Sequence, residues 1–192
     1  MQHALAAPFY DIRGIFNQTL LKLFSWSSKG KYYMLSATEA IWDSSNTELF
    51  NSKSSTESRF REVVELQSTD IFRIKWKILS ERLLQNSEYM CYLVFKFSEK
   101  CSGLHCPVMV QDLNQRRNKQ TRIVYFRTPQ TWNMSGDDNQ GPKEREDGWM
   151  EVNLWKFKTD PNYGCIPINL KLATYEGSMS GLVVCGLEFR PM

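Results

Sequence analysis

The chain has 192 residues, which makes one domain the default with room for a small extension. It is 42% hydrophobic and 23% charged, an ordinary globular balance, and its net charge of +3 is too small to indicate a nucleic-acid binder by itself. No stretch approaches the ~20 apolar residues needed to span a bilayer, so no membrane span is expected.

The opening MQHALAAPFYDIRG lacks a basic n-region and an uninterrupted apolar h-region, so no secretory signal peptide is predicted. Residues 1–30 read as an N-terminal extension. Ile12, Ile15, Phe16, Thr19, Leu20 and Leu23 recur at helical spacing across 9–24. They predict a short helix docked on the domain; a membrane-surface or partner-binding helix and disorder are the other readings. Ser25 to Gly30 reads as a loop.

The domain proper is expected over 31–192. Lys31 to Leu35 opens it, and Ala40-Ile41-Trp42 is a second short apolar element. A polar loop, 43–58, follows; Ser54 and Glu57 fit a capping box, which would start a short helix. Val63 to Leu66 reads as a strand. Phe72, Ile74, Trp76 and Ile78 then alternate with Arg73, Lys75 and Lys77, the pattern of a half-buried strand with a wet basic face. After a turn at Ser80 to Ser87 comes EYMCYLVFKF, 88–97. Its odd positions are all apolar and, among the inner even positions, only Lys96 is charged. A run apolar on both faces suits a central strand covered on each side, with a buried helix segment as the alternative.

Further strands are expected at Val108 to Val110, Thr121 to Phe126, Trp149 to Leu154, Ile168 to Ala173 and Gly181 to Phe189. A hairpin turn at 111–120 and a long polar loop at 128–148 separate three of them. About eight short strands without a βαβ unit predict an all-β antiparallel sandwich.

The chemistry-bearing residues are sparse. His105 lies beside Cys101 and Cys106, but the spacing matches no standard zinc site. Asp137, Asp138 and Asp147 do not form an EF-hand loop. Glu57, Glu62, Glu65, Glu151 and Glu188 cannot be paired across a cleft from sequence, as a glycosidase requires. No catalytic residue, metal ligand or cofactor is assigned, and the chain is not expected to be an enzyme. Five cysteines are an odd number in a chain with sufficient core, which points to free thiols in a reducing cytosol.

Two binding patterns remain. Arg116, Arg117, Lys119, Arg122 and Arg127 form an acid-free basic run that, with Tyr125 and Phe126, would hold an RNA backbone and stack bases; a solvated hairpin is the bland reading. Trp76 and Trp149 sit in strand patterns and read as core. Trp42 ends an apolar element and is followed by Asp43, Ser44, Ser45 and Asn46. An aromatic face beside short polar side chains is what a sugar site needs: the ring packs on the C–H face while amides, hydroxyls and carboxylates hold the sugar's polar groups.

Several segments resemble a known family: YMLSATEAIW (33–42), FREVVEL (60–66), IKWKI (74–78), YLVFKF (92–97), DGWMEVNLWKF (147–157) and SGLVVCGLEFRP (180–191). Together they resemble the plant phloem protein 2-type lectins, relatives of the tobacco jasmonate-induced lectin. The cysteine-bearing loop and the N-terminal extension resemble the cucurbit branch, that of cucumber and pumpkin. The resemblance implies a jelly-roll-like β-sandwich. It also implies non-catalytic recognition of N-acetylglucosamine oligomers, as chitin-like chains or N-glycan cores on glycoproteins. It further implies a homodimer in the cytoplasm of phloem companion cells and in sieve-element sap, with filament protein and RNA as partners. Two tryptophans of the first loop region serve sugar binding in the tobacco relative. Trp42 matches the first. The second falls near Leu49, where this chain has no aromatic, with Phe50 adjacent. The implied sugar-site residues are therefore Trp42, Asp43, Ser44, Asn46, Leu49 and Phe50.

Overall fold

The computed structural model describes residues 26–27, 30–41, 49–101, 103–114, 120–128 and 141–192. Its elements in chain order are β1 (Trp26–Ser27), β2 (Gly30–Lys31), β3 (Tyr33–Ser36), α1 (Ala37–Ala40), β4 (Phe50–Ser54), β5 (Glu62–Leu66), β6 (Ile71–Leu79), β7 (Glu88–Phe97), β8 (Val108–Asp112), β9 (Thr121–Val124), β10 (Lys143–Glu144), β11 (Met150–Lys158), β12 (Cys165–Thr174) and β13 (Leu182–Pro191). The larger sheet runs β10-β11-β7-β13-β5-β4, with β3 also paired to β13; the smaller runs β6-β12-β8-β9. Every pairing is antiparallel, as expected for an all-β sandwich.

Strand β7 sits inside the larger sheet, flanked by β11 and β13. Its two apolar faces meet two different cores. Tyr89, Cys91, Leu93 and Phe95 join Phe72, Ile74, Ile78, Val108, Val110, Leu170 and Leu172 in the main core between the sheets. Val94, on the opposite face, joins Met34, Phe60, Val63, Trp149 and Cys185 in a smaller outer core. Burial on both faces is why the run from Tyr89 to Phe95 is apolar at successive positions.

Helix α1 is a single turn that brings the chain from β3 toward β6. Ser36 caps it, its hydroxyl accepting from the Thr38 N–H at 3.3 Å, and Ala37 and Ala40 are small enough to be buried beside the strands. Ile41 then makes an isolated antiparallel bridge to Ile74 on β6.

Four local expectations are corrected. The capping box at Ser54 and Glu57 starts no helix: Ser54 ends strand β4, paired opposite Glu62. β4 escaped notice because four of its five residues are exposed, so no apolar alternation marks it. The stretch from Ser25 to Gly30 is not wholly a loop, since Trp26 pairs opposite Lys31 in a tight hairpin. Strand β12 starts at Cys165 rather than Ile168, running through Pro167. Pro167 is tolerated because β8 pairs with β12 only from Leu170 onward, leaving one side of β12 free of a ladder there. The expected helix over 9–24 lies outside the described residues. No helix among the described residues is long and apolar enough to cross a membrane.

Candidate functional site

Two of the segments that carry the resemblance, DGWMEVNLWKF (147–157) and SGLVVCGLEFRP (180–191), converge with Arg145 on the outer face of the larger sheet. Arg145 Nη1 donates to Glu151 at 2.7 Å and to Glu188 at 2.8 Å. Arg190 donates through Nε to Glu188 at 2.9 Å and through Nη1 to Glu151 at 2.8 Å, and its guanidinium lies 4.4 Å from the centroid of the Tyr92 ring. Burial alone would raise the Glu188 pKa, but Arg190 and Arg145 outweigh it and hold the carboxyl below its usual range. Burial likewise works against the charged forms of both arginines, and their carboxylate partners raise both pKa values above the ordinary one.

The glycines of the same motifs serve the backbone. Gly181 enters β13 at φ +81°, and a Cβ on Gly186 would lie 2.1 Å from the Leu35 carbonyl oxygen. Trp149 is 3% exposed, donates its indole N–H to the Glu57 carbonyl at 3.0 Å and carries Lys96 over its ring at 4.9 Å. Charges, glycines and tryptophan here are mutually satisfied, which is the signature of a structural element rather than of a waiting site.

A different arrangement occurs at the smaller sheet. A groove of 560 Å³ is lined by Glu39 of α1, Lys75, Trp76 and Lys77 of β6, Pro167, Ile168 and Asn169 of β12, and Asn114 just beyond β8. Trp76 pairs opposite Ile168 and belongs to the core-facing set with Ile74 and Ile78. It is only half-buried. Among the described residues nothing accepts from its indole N–H. Asn114 is held in place by its own N–H, which donates to Asp112 at 2.9 Å, and by its amide nitrogen, which donates to the Pro167 carbonyl at 2.9 Å. Its amide oxygen has no donor among the described residues. The groove therefore offers one aromatic surface, one indole donor, side-chain amides, a carboxylate and two ammonium groups. Such a set suits a neutral polar ligand with an apolar face.

The residues expected from sequence are only partly placed. Trp42, Asp43, Ser44 and Asn46 lie outside the described residues, as do Arg116, Arg117 and Lys119. Leu49 is half-buried, and its carbonyl accepts from the Gln67 N–H at 2.8 Å. Phe50 begins β4 and packs against the main core. Arg122 donates to Asn153 on β11 at 3.2 Å. Arg127 donates to the carbonyls of Gly103 and Cys101 at 3.0 and 2.9 Å and covers the Phe97 ring. Both described members of the basic run thus have internal partners.

The five cysteines are free thiols. Burial pushes the Cys91 thiol up, and Cys185 likewise, the latter donating to or accepting from the Ser58 hydroxyl at 3.1 Å. Among the described residues no three His, Cys, Asp or Glu side chains stand together as metal ligands would. Sequence reasoning missed Trp76 as a groove residue because its place in the alternation reads as core. Its clue was the indole N–H, a polar handle that a core-facing side chain must satisfy or leave open to a ligand or solvent.

The comparisons with known proteins concern the whole fold. The chain is 31% identical to F-box protein At2g02240 of Arabidopsis thaliana over 173 residues, covering 86% of this chain and 54% of that protein. The chain covers 54%, 69% and 54% of the length of the first three curated relatives it matches. Among solved structures, the Cry4Aa toxin of Bacillus thuringiensis matches with a TM-score of 0.49 and 11% identity, over 84% of this chain and 24% of that one. A family 35 carbohydrate-binding module of Clostridium thermocellum matches with a TM-score of 0.41 and 11% identity, over 82% of this chain and 96% of that one. A likeness of that size carries nothing about ligands. The family described as Phloem protein 2 matches residues 30–191, from β2 through β13. The chain belongs to the Phloem protein 2 family.

Proposed function

We propose that the chain is a non-catalytic carbohydrate-binding module that takes N-acetylglucosamine oligomers, as chitin-like chains or N-glycan cores, in the groove at Trp76. The observation that carries this reading is the half-buried indole whose N–H has no acceptor among the described residues, set beside Asn114, Asn169 and Glu39. A pyranose needs an apolar ring face and hydrogen-bond partners around it, and an acetamido group adds one donor and one acceptor for side-chain amides. Family membership supports the same reading.

Trp42, Asp43, Ser44 and Asn46, which the resemblance implies for sugar binding, lie outside the described residues and stay part of the proposal through that resemblance alone. Leu49 and Phe50 are weaker contributors, since Phe50 already packs against the core. Each sugar hydroxyl gives up water to bind, so the net gain per hydrogen bond is only ~1 kcal/mol and single-sugar affinity is weak. The setting we propose is phloem cytoplasm and sap, with the module acting as a homodimer that raises avidity for polymeric ligands.

Calorimetric titration with a chitin trimer tests this on wild type, Trp42→Ala and Trp76→Ala. Both substitutions are expected to weaken binding by roughly tenfold or more, a loss of about 1.4 kcal/mol. A folded Trp76→Ala protein that binds the trimer normally removes this groove from the account. A wild type that binds no aminosugar oligomer removes the sugar reading.

A further inference from the structure

A second hollow, of 680 Å³, adjoins the first: both are lined by Pro167 of β12. Its other walls include Asn86, Lys158, Asp160, Asn162 and Tyr163. Tyr163 is 65% exposed, yet its backbone is held on both sides. Its N–H donates to the Asp160 carbonyl at 3.2 Å, and its carbonyl accepts from the Ser80 hydroxyl. Asn162 is fixed next to it, its N–H and side-chain amide nitrogen both donating to an Asp160 carboxylate oxygen, at 2.9 and 2.8 Å. The floor is equally firm: the Thr159 hydroxyl engages the carbonyls of Leu84 and Ser87 at 2.7 and 3.0 Å. An exposed aromatic ring on an anchored backbone loses little freedom when a ligand covers it.

We propose that this hollow is a second subsite, which takes the distal units of an extended aminosugar chain whose first units occupy the Trp76 groove. The inference rests on the function proposed above. Ile168, opposite Trp76, and Cys165, at the start of β12, are three residues apart, about 10 Å at the rise of a strand. That exceeds one pyranose ring, so a short sugar on Trp76 does not reach Tyr163, whereas a chain of several units passes over Pro167 to stack on it. Asn86 and Asn162 supply amide groups for an acetamido substituent there, as Asn114 and Asn169 do in the first groove. The ligand class that fills both hollows is a long, neutral, β-linked oligosaccharide rather than a terminal sugar.

The test is calorimetric titration of the full chain with the N-acetylglucosamine dimer and pentamer. The wild type is expected to bind the pentamer at least about tenfold more tightly than the dimer. Tyr163→Ala should leave dimer affinity unchanged and lower pentamer affinity roughly five- to tenfold, the worth of one aromatic contact, while Tyr163→Phe should keep the wild-type length dependence. Because Tyr163 is exposed, neither substitution should disturb folding, and an unchanged melting temperature checks this. Equal affinity of the wild type for both lengths overturns the second subsite alone. So does a loss in Tyr163→Ala that is the same for dimer and pentamer, or no loss at all. Absence of binding to either sugar overturns the sugar reading itself and this inference with it.

Discussion

Trp149, just before β11, and Trp76, on β6, are both tryptophans packed on apolar neighbours, yet their surroundings differ in kind. Trp149 is enclosed in the outer core, its N–H satisfied by Glu57 and its ring capped by Lys96. Around it the two motifs close a network in which Arg145 and Arg190 bridge Glu151 and Glu188. Trp76 leans on the main core but opens into a groove with polar groups that have no described partner. Trp149 has its polar atom satisfied inside the fold, whereas Trp76, which lies in the equally recognisable segment IKWKI (74–78), has an indole N–H with no acceptor among the described residues.

Substitutions should separate the two regions. Trp149→Ala should have the largest effect on stability, a loss of about 3–5 kcal/mol from the cavity and the orphaned Glu57 carbonyl, read by denaturant unfolding. The fraction that remains folded should bind sugar with wild-type affinity. Arg190→Ala should cost less, about 2–3 kcal/mol: it leaves Glu151 and Glu188 with Arg145 alone, and the lost side chain was a quarter exposed.

The same network makes stability depend on pH with a definite sign. The folded-state pKa of Glu188 is depressed, so its contribution is complete above the unfolded value of about 4.3 and is lost as pH falls through the lower folded value. Thermal unfolding between about pH 5 and 2 should show this loss, and Glu188→Gln should make the acid limb shallower. A wild-type profile that the substitution leaves unchanged would place the acid sensitivity elsewhere. Trp76→Ala reverses the pattern of Trp149→Ala: its cost in stability should be about 1–2 kcal/mol, since the ring is half-buried, while sugar affinity falls by the tenfold stated above.

Much of the fold was legible. The bounds of β7 match the apolar run 88–97 because both faces are covered, and β6 follows the alternation of Phe72, Ile74 and Ile78 with the basic residues. What escaped was set by position in the sheet rather than by side-chain pattern. β4 pairs on one side only and exposes Asn51, Ser52, Lys53 and Ser54, so nothing in its composition distinguishes it from a loop. β12 was expected only from Ile168 because 158–167 is rich in turn residues, and the register of β8 shows how Pro167 is accommodated, with no ladder to break on that side. β10 is a two-residue pairing against β11 inside the long polar stretch 128–148.

The sequence suggests a ligand chemistry for the candidate site but not a place for it in the fold. Trp42 and its polar successors gave the ligand class, through the resemblance, and lie outside the described residues. Trp76 gave the location only once Asn114, Asn169 and Glu39, far apart in sequence, were seen to line one groove with it. Arg122 and Arg127 read as available cations by charge alone, and their hydrogen bonds to Asn153, Gly103 and Cys101 depend on tertiary contacts that no local pattern announces.

The most direct measurement is to follow the six tryptophan indole N–H resonances by heteronuclear NMR while a chitin trimer is added, with Trp76 and Trp149 assigned by substitution to Phe. The Trp76 indole signal should move along the binding curve as its N–H gains an acceptor, and the Trp149 signal, already bonded to Glu57, should stay in place. A trimer that binds while the Trp76 signal stays fixed, or that moves Trp149 instead, would contradict the assignment of the ligand site to the groove.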